Sequence, residues 1–325
     1  MEICKNGNAG KCKQSRVLIK GMSFWVALTL ACSVMFASHA LAATKLEFST
    51  TIILDADTAN EVDDLYAVVA ALIEPSWDIK ALNATHWQTS HWSSPTSMED
   101  SHRLNQVLTG YLQMPVPTKR GGVARMYDWG DQAQHSAAAY EIIKQAHAME
   151  NGERLTVIAL GALTNVASAL FIDNSIADKI SLFWLGTSYD FENNVLGTTD
   201  FNCIMDTQAL HYLLNSTVPM TVIPVNVAYD MQFDLADTTK RIKGFHPLGD
   251  FLVDRWVDHM DGLRQSRAIW DLALIYGMME PDWIETTTIT TSKDFGAKEI
   301  TYMSKIDGEQ MYQAFFQRFK AHLSK

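Results

Sequence analysis

The stretch LDADTANEVDDLYAVVAAL (54–72) carries five acidic side chains within ten positions: Asp55, Asp57, Glu61, Asp63 and Asp64. Brought to one point they repel each other, so they need solvent or a cation between them. An apolar run, TTIIL (50–54), precedes the cluster. A helical pattern follows it, with Val62, Leu65, Val69 and Leu72 on one face. Asp55 and Asp57 therefore follow a strand, while Asp63 and Asp64 open a helix whose dipole offsets part of the repulsion. A single Asp in that place is an ordinary helix start. Four Asp and a Glu beside an apolar strand point to a hard cation. An oxygen-only set with no adjacent His or Cys suits Ca²⁺ or Mg²⁺ rather than zinc. The spacing lacks the Gly and terminal Glu of an EF-hand loop.

The elements that must position these residues alternate along the chain. Strands are expected at 78–84, 154–160, 180–185 and 220–225, and helices at 62–73, 99–113, 137–149, 206–215, 248–262 and 268–279. The segment NVASAL opens a further helix, and the tail reads strand, strand, helix, ending in 308–323. Apolar strands alternating with helices predict an α/β fold: one domain with a mostly parallel, open twisted sheet flanked by helices. Ligands of such folds sit beyond the carboxyl ends of the strands, where the acidic cluster lies. No internal repeat or low-complexity linker divides the chain.

Residues 1–42 read as an export signal. Lys5, Lys11, Lys13, Arg16 and Lys20 lead into the apolar run MSFWVALTLACSVMFA, and Ala40 and Ala42 offer a small-x-small cleavage site. That run is shorter than the ~20 residues of a spanning helix. Cleavage after Ala42 leaves a mature domain of residues 43–325, secreted or periplasmic and not held in a membrane. It also leaves 21 basic against 36 acidic residues, a net of −15. Such a surface repels phosphate backbones and anionic lipid, which excludes a nucleic acid polymer as partner. Cys203 is then the single cysteine, so no intrachain disulfide can form.

The motif D-x-D-x-x-N-E-x-D-D resembles the aspartate motif of the inosine–uridine-preferring nucleoside hydrolase family, usually D-T-D-P-G-I-D-D, with two extra residues between the second and third Asp. Further segments follow in that family's order. ALGALTNVASAL (159–170) is similar to A-x-G-P-L-T-N-x-A, and NNVLGTTDFNCIMDTQAL (193–210) to G-N-x-T-x-x-A-E-F-N-x-x-x-D-P-x-A. PVNVAYD (224–230) is similar to P-L-D-V-T-H, and WDLAL (270–274) to H-D-P-L-A. The resemblance runs from about residue 50 to the C-terminus and implies Ca²⁺-dependent hydrolysis of ribonucleosides to ribose and free base.

It also implies roles. Asp57, Asp64 and Asp271, with the backbone carbonyl of Thr164, would hold one Ca²⁺ at the pocket floor. Asp57 would take the proton of the attacking water, and Asp63, Asn194, Asp200 and Asn202 would grip the ribose hydroxyls. Cleaving an N-glycosidic bond builds positive charge on the sugar, which a net-negative floor stabilises. Asp271 lies in an apolar pattern (Ile269, Leu272, Ile275, Tyr276), where an unpaired carboxylate is costly. The plain alternatives are a helix cap for Thr164 and turns for the two Asn. Homodimers or homotetramers are common in the family.

Two departures bear on the leaving base. Trp270 stands where His is usual, and VPTKRGGVARMYDWGDQAQ holds no His where a second is often found. His86 and His91, beside Trp87 and Trp92 in the THWQTSHW loop, are the nearest substitutes. Trp87, Trp92 and Trp270 suggest an aromatic slot for a flat base, against core packing as the plain alternative. The rival readings are a Ca²⁺-dependent sugar- or nucleoside-binding protein without catalysis, and a haloacid dehalogenase-type phosphatase, whose D-x-D-x-T/V motif is broken by Ala59.

Overall fold

Apolar side chains alternate along the first strand and divide the core in two. Ile52 and Leu54 face one layer of helices, and Ile53 faces the other. The computed structural model describes residues 46–262 and 264–324. The predicted export signal and its cleavage site after Ala42 lie outside the described residues.

The first half of the domain runs β1 (Thr51–Ala56), α1 (Asp63–Leu72), β2 (Asp78–Ala84), α2 (Ser97–Tyr111), β3 (Thr118–Lys119), α3 (Ala137–Ala148), β4 (Leu155–Ala159), α4 (Thr164–Ile172) and β5 (Ile180–Leu185). A small hairpin follows, β6 (Ser188–Asp190) and β7 (Val195–Gly197), then α5 (Phe201–Met205), α6 (Thr207–Leu214), β8 (Met220–Ile223) and α7 (Val225–Ala228). The chain continues through β9 (Gln232–Asp234), α8 (Leu235–Ile242), α9 (Pro247–Asp258), β10 (Ser266–Ala268) and α10 (Trp270–Met279), and ends with β11 (Ile284–Thr290), β12 (Glu299–Ile306) and α11 (Gly308–Leu323).

Among the described residues the main sheet has eight strands in the order β11-β12-β8-β5-β4-β1-β2-β3. Only the β11–β12 pair is antiparallel. The alternation and apolar strands thus form the open, helix-covered sheet that they predict. Helices α3, α4 and α6 cover the Ile53 face, and α1, α9, α10 and α11 cover the other. Helix α10 is buried on nearly all sides, as a helix apolar all round must be. No helix among the described residues is long and apolar enough to cross a membrane.

From β1 and β4, which are neighbours, the chain proceeds in opposite directions across the sheet. The crevice beyond their carboxyl ends is therefore a topological switch point. Asp57 leaves β1 there, and Leu160 and Gly161 leave β4. The short ribbons were not legible as elements, being too brief for a periodic signal. One of them has structural weight: β9 pairs antiparallel with β10, Gln232 opposite Ala268, and Ile269 N–H donates to the Met231 carbonyl (2.8 Å). This clamps the segment after α7 against the start of α10.

Candidate active site

Asp57 occupies the turn beyond β1, closed by Asn60 N–H donating to the Asp57 carbonyl (2.7 Å). The turn is pinned from several sides. Thr58 Oγ1 donates to Asn105 Oδ1 (2.5 Å) on α2, and Asn105 Nδ2 donates to the Asn83 carbonyl (3.2 Å) on β2. Trp92 Nε1 donates to Asn60 Oδ1 (3.0 Å), and His259 Nε2 lies 3.2 Å from the Asn60 carbonyl. Glu61 faces the buried guanidinium of Arg267, which also pairs with Asp261 and lies over the Trp256 ring.

The first turns of α1 and α10 then bring Asp63, Asp64 and Asp271 together. One oxygen from each lies within 4.8 Å of the others, and all three are buried. Leu65, Val68 and Val69 anchor α1 in the core, each worth ~1.5–3 kcal/mol when buried. The two helix dipoles favour anions at this meeting point. Those terms do not satisfy the carboxylates: Asp57 Oδ2, Asp64 Oδ1 and Asp271 Oδ1 are buried without a hydrogen-bond partner. Burial first, then mutual repulsion, pushes Asp57, Asp64 and Asp271 well above the usual carboxylate range. Burial and the charge of Glu61 push Asp63 up to about 7. Orphaned oxygens on converging carboxylates are the donor set of a hard divalent cation, so these residues fit one.

Beneath the cluster, Asn165 Nδ2 donates to Asp55 (3.1 Å to Oδ1) and to the Ala84 carbonyl (3.1 Å). Burial still pushes Asp55 up to about 7. Gly161 closes the crevice against Asp57. A Cβ at that position would lie 2.2 Å from Asp57 Oδ1 and 2.7 Å from Thr85 Oγ1.

A cavity of about 590 Å³ opens above the carboxylates, within the ~300–1,000 Å³ range of small-molecule sites. Asp57, Asp63, Asp64, Asp200, Asn202, Trp270 and Asp271 all line it. Asp200 caps α5, accepting from Cys203 N–H (3.3 Å) and from Thr187 N–H (2.8 Å). Asn202 Nδ2 donates to the carbonyls of Leu160 (2.6 Å) and Leu185 (2.9 Å). That joins the ends of β4 and β5 and leaves its side-chain oxygen to meet a ligand.

Five residues expected at the site do not line the cavity. Asn194 forms the tip between β6 and β7 at φ +54° and lines a separate groove. Asn tolerates that left-handed conformation better than most side chains, so its spacing reflects a hairpin turn. The Thr164 hydroxyl donates to Asp206 Oδ2 (2.6 Å), and Leu160, four residues earlier, is the residue of its segment that lines the cavity. His86 is wholly buried, with Nδ1 accepting from Gln88 N–H (3.2 Å) and Nε2 2.9 Å from Thr164 Oγ1. Burial lowers its pKa to about 4, so it is neutral and committed to this relay. Trp87 packs with Ala162 and Met205 in a small core behind the wall. Trp92 stacks on Phe201 (5.4 Å, 18°), and Phe201 is the ring that reaches the cavity.

Glu61, counted in the acidic cluster, also lines the cavity, and Asn60, Leu160, Phe201, Asn226 and Tyr229 line it without having been singled out from the sequence as site residues. For Asn226 and Tyr229 a signal existed in the PVNVAYD segment. Leu160 and Phe201 likewise lie within the quoted segments 159–170 and 193–210, where nothing local showed which side chains would face the cavity.

The profile of the family described as inosine-uridine preferring nucleoside hydrolase matches residues 52–312. Uridine nucleosidase 1 of Arabidopsis thaliana is 26% identical over 216 residues, covering 58% of this chain and 62% of that protein. The pyrimidine-specific ribonucleoside hydrolase RihA of Escherichia coli O7:K1 (strain IAI39 / ExPEC) is 23% identical over 209 residues, covering 58% and 64%. The chain thus matches less than two thirds of the length of these relatives. Among solved structures, a purine-preferring ribonucleoside hydrolase from Gardnerella vaginalis superposes with a TM-score of 0.63 at 20% identity, over 83% of this chain and 98% of that one. That likeness is one of fold.

Proposed function

Because this chain belongs to the inosine-uridine preferring nucleoside hydrolase family, we propose that it hydrolyses the N-glycosidic bond of ribonucleosides, with Ca²⁺ as its cofactor. The observation that carries this reading is the set of orphaned, buried oxygens on Asp57, Asp64 and Asp271 at the floor of a nucleoside-sized cavity. A divalent ion held by those three carboxylates, beside the Leu160 segment, would compensate their charge, bind vicinal hydroxyls and acidify a water.

The protein groups divide the remaining work. Asp57, tightly packed against Gly161, takes the proton of the attacking water. Asp63, Asp200 and the Asn202 side-chain oxygen accept hydrogen bonds from the ribose hydroxyls. A sugar lacking those hydroxyls leaves buried acceptors unpaired, which is the expensive way to be the wrong substrate. The net-negative floor stabilises the oxocarbenium-like transition state. Trp270, at the start of α10, offers a face to the base. Export through residues 1–42, supported by the basic lead and the Ala40-x-Ala42 site, suits scavenging of external nucleosides.

The test is a reducing-sugar assay over a ribonucleoside panel, with and without chelator. Chelator-sensitive ribose release is expected. Nucleoside binding without turnover would favour the non-catalytic reading, and phosphate release from esters would overturn both. A companion prediction concerns Gly161→Ala. The added methyl must displace Asp57, and a misplacement of about 1 Å costs ~10²-fold. Turnover is expected to fall by that order with the circular dichroism spectrum retained; full activity would show that Asp57 need not sit where it does.

A further inference from the structure

The departure of the base needs a proton, and the usual histidine is Trp270. No histidine lines the cavity among the described residues, and most of its other polar side chains are engaged by protein partners or belong to the carboxylate floor. Asn226 is oriented by Tyr189, whose N–H donates to its Oδ1 (2.9 Å) and whose carbonyl accepts from its Nδ2 (3.1 Å), and an amide has no proton to give to a leaving group. Asp200 is held by two backbone N–H groups, and Glu61 by Arg267. The remaining carboxyls form the cation floor. Tyr229 alone among the lining residues adds an O–H outside the carboxyl set.

Its placement is defined rather than incidental. Tyr229 caps α7, with its N–H donating to the Val225 carbonyl (2.9 Å). Two residues on, the Met231 carbonyl accepts from Ile269 N–H, directly before Trp270 and Asp271. The Tyr229 and Trp270 rings lie 6.4 Å apart at 47° on the same cavity. The hydroxyl has no protein partner among the described residues, and the side chain is 58% exposed. It therefore reaches the cavity mouth beside the proposed base platform with a free, transferable proton.

We propose that Tyr229 is the acid that protonates the departing base, and this rests on the ribonucleoside hydrolase reading. As the C1′–N bond breaks, its electron pair stays on the base. The Tyr229 hydroxyl gives its proton to a ring nitrogen or carbonyl oxygen of that base. Water bonds to C1′ and passes a proton to Asp57. Solvent then carries the proton from the Asp57 carboxyl to the Tyr229 phenolate, and ribose and base are the only products.

The experiment compares Tyr229→Phe with the wild type on inosine and uridine, and on p-nitrophenyl β-D-ribofuranoside, whose leaving group needs no acid. Phenylalanine keeps the ring, so stacking survives. The ratio of kcat on the activated riboside to kcat on the better nucleoside is expected to rise about 10²-fold in the variant. An unchanged ratio, whether both rates hold or both fall together, overturns the proposal. A wild type inert on all three substrates overturns the hydrolase reading itself, and the role of Tyr229 with it.

Discussion

Asp57→Asn is expected to lose ~10²–10⁴-fold in ribonucleoside turnover while the folded protein gains thermal stability without added metal. The two effects have one cause. Asp57 is a fully enclosed carboxylate with a partnerless oxygen, next to Asp63, Asp64 and Glu61. The isosteric amide keeps the shape that fits against Gly161 and removes a repelled charge, which relieves the native state. It also removes the only carboxylate leaving β1 at the cavity, and with it the proton acceptor. Kinetics on the best substrate and a melting curve of metal-stripped protein check both halves. Turnover unchanged from wild type would sink the assignment of the base. A lowered melting temperature would show that the carboxylate is satisfied by something other than a cation.

Calcium is expected to stabilise the metal-stripped protein strongly at pH 8 and hardly at pH 5. Asp55 and Asp63 stand near 7, and burial raises Asp57, Asp64 and Asp271 well above the ordinary value of 3.8. Below about pH 4 both folded and unfolded chains hold these protons, and no penalty arises. Between 4 and 7 the unfolded chain releases protons that the folded chain retains, so the contribution of these groups to stability falls as pH rises. A bound cation replaces the protons and restores the lost stability. At a hundred times its dissociation constant, an ion binding only the folded state contributes ~2.7 kcal/mol, or roughly 5 °C for a domain of this size. At pH 5 protons compete for the same oxygens, and the shift should drop below about 1 °C. Melting curves with and without added Ca²⁺ at both pH values decide this. Equal shifts at the two would place the ion away from the carboxylates.

The cluster is therefore a compromise between function and stability. Apolar anchoring of α1 and α10 holds their acidic first turns in a position that the carboxylates alone would not choose. The same pairing of cost and use explains the turn before α1. Asn60 and Glu61 lie in the lengthened spacing between the second and third Asp of the motif, and both line the cavity. Arg267 and His259, from the segment leading into α10, hold that turn in place.

The sequence by itself determined the sheet and the floor of the site. Ile52, Ile53 and Leu54 leave a buried strand no alternative to facing both helix layers, and a parallel strand must deliver Asp57 to the ligand-bearing edge. Asp63, Asp64 and Asp271 open helices whose apolar faces dictate which way the first turn looks. Tertiary structure alone decided the walls. Asn194 matches its motif in spacing, yet it turns a hairpin and lines a separate groove, and Leu160 rather than Thr164 lines the cavity from their shared segment. Tyr229 and Phe201 reach the cavity because distant segments, the β9–β10 clamp and the Trp92 loop, hold them there. Helix and strand periodicity fixes a side chain's direction locally, whereas a loop side chain takes its direction from whatever packs against it.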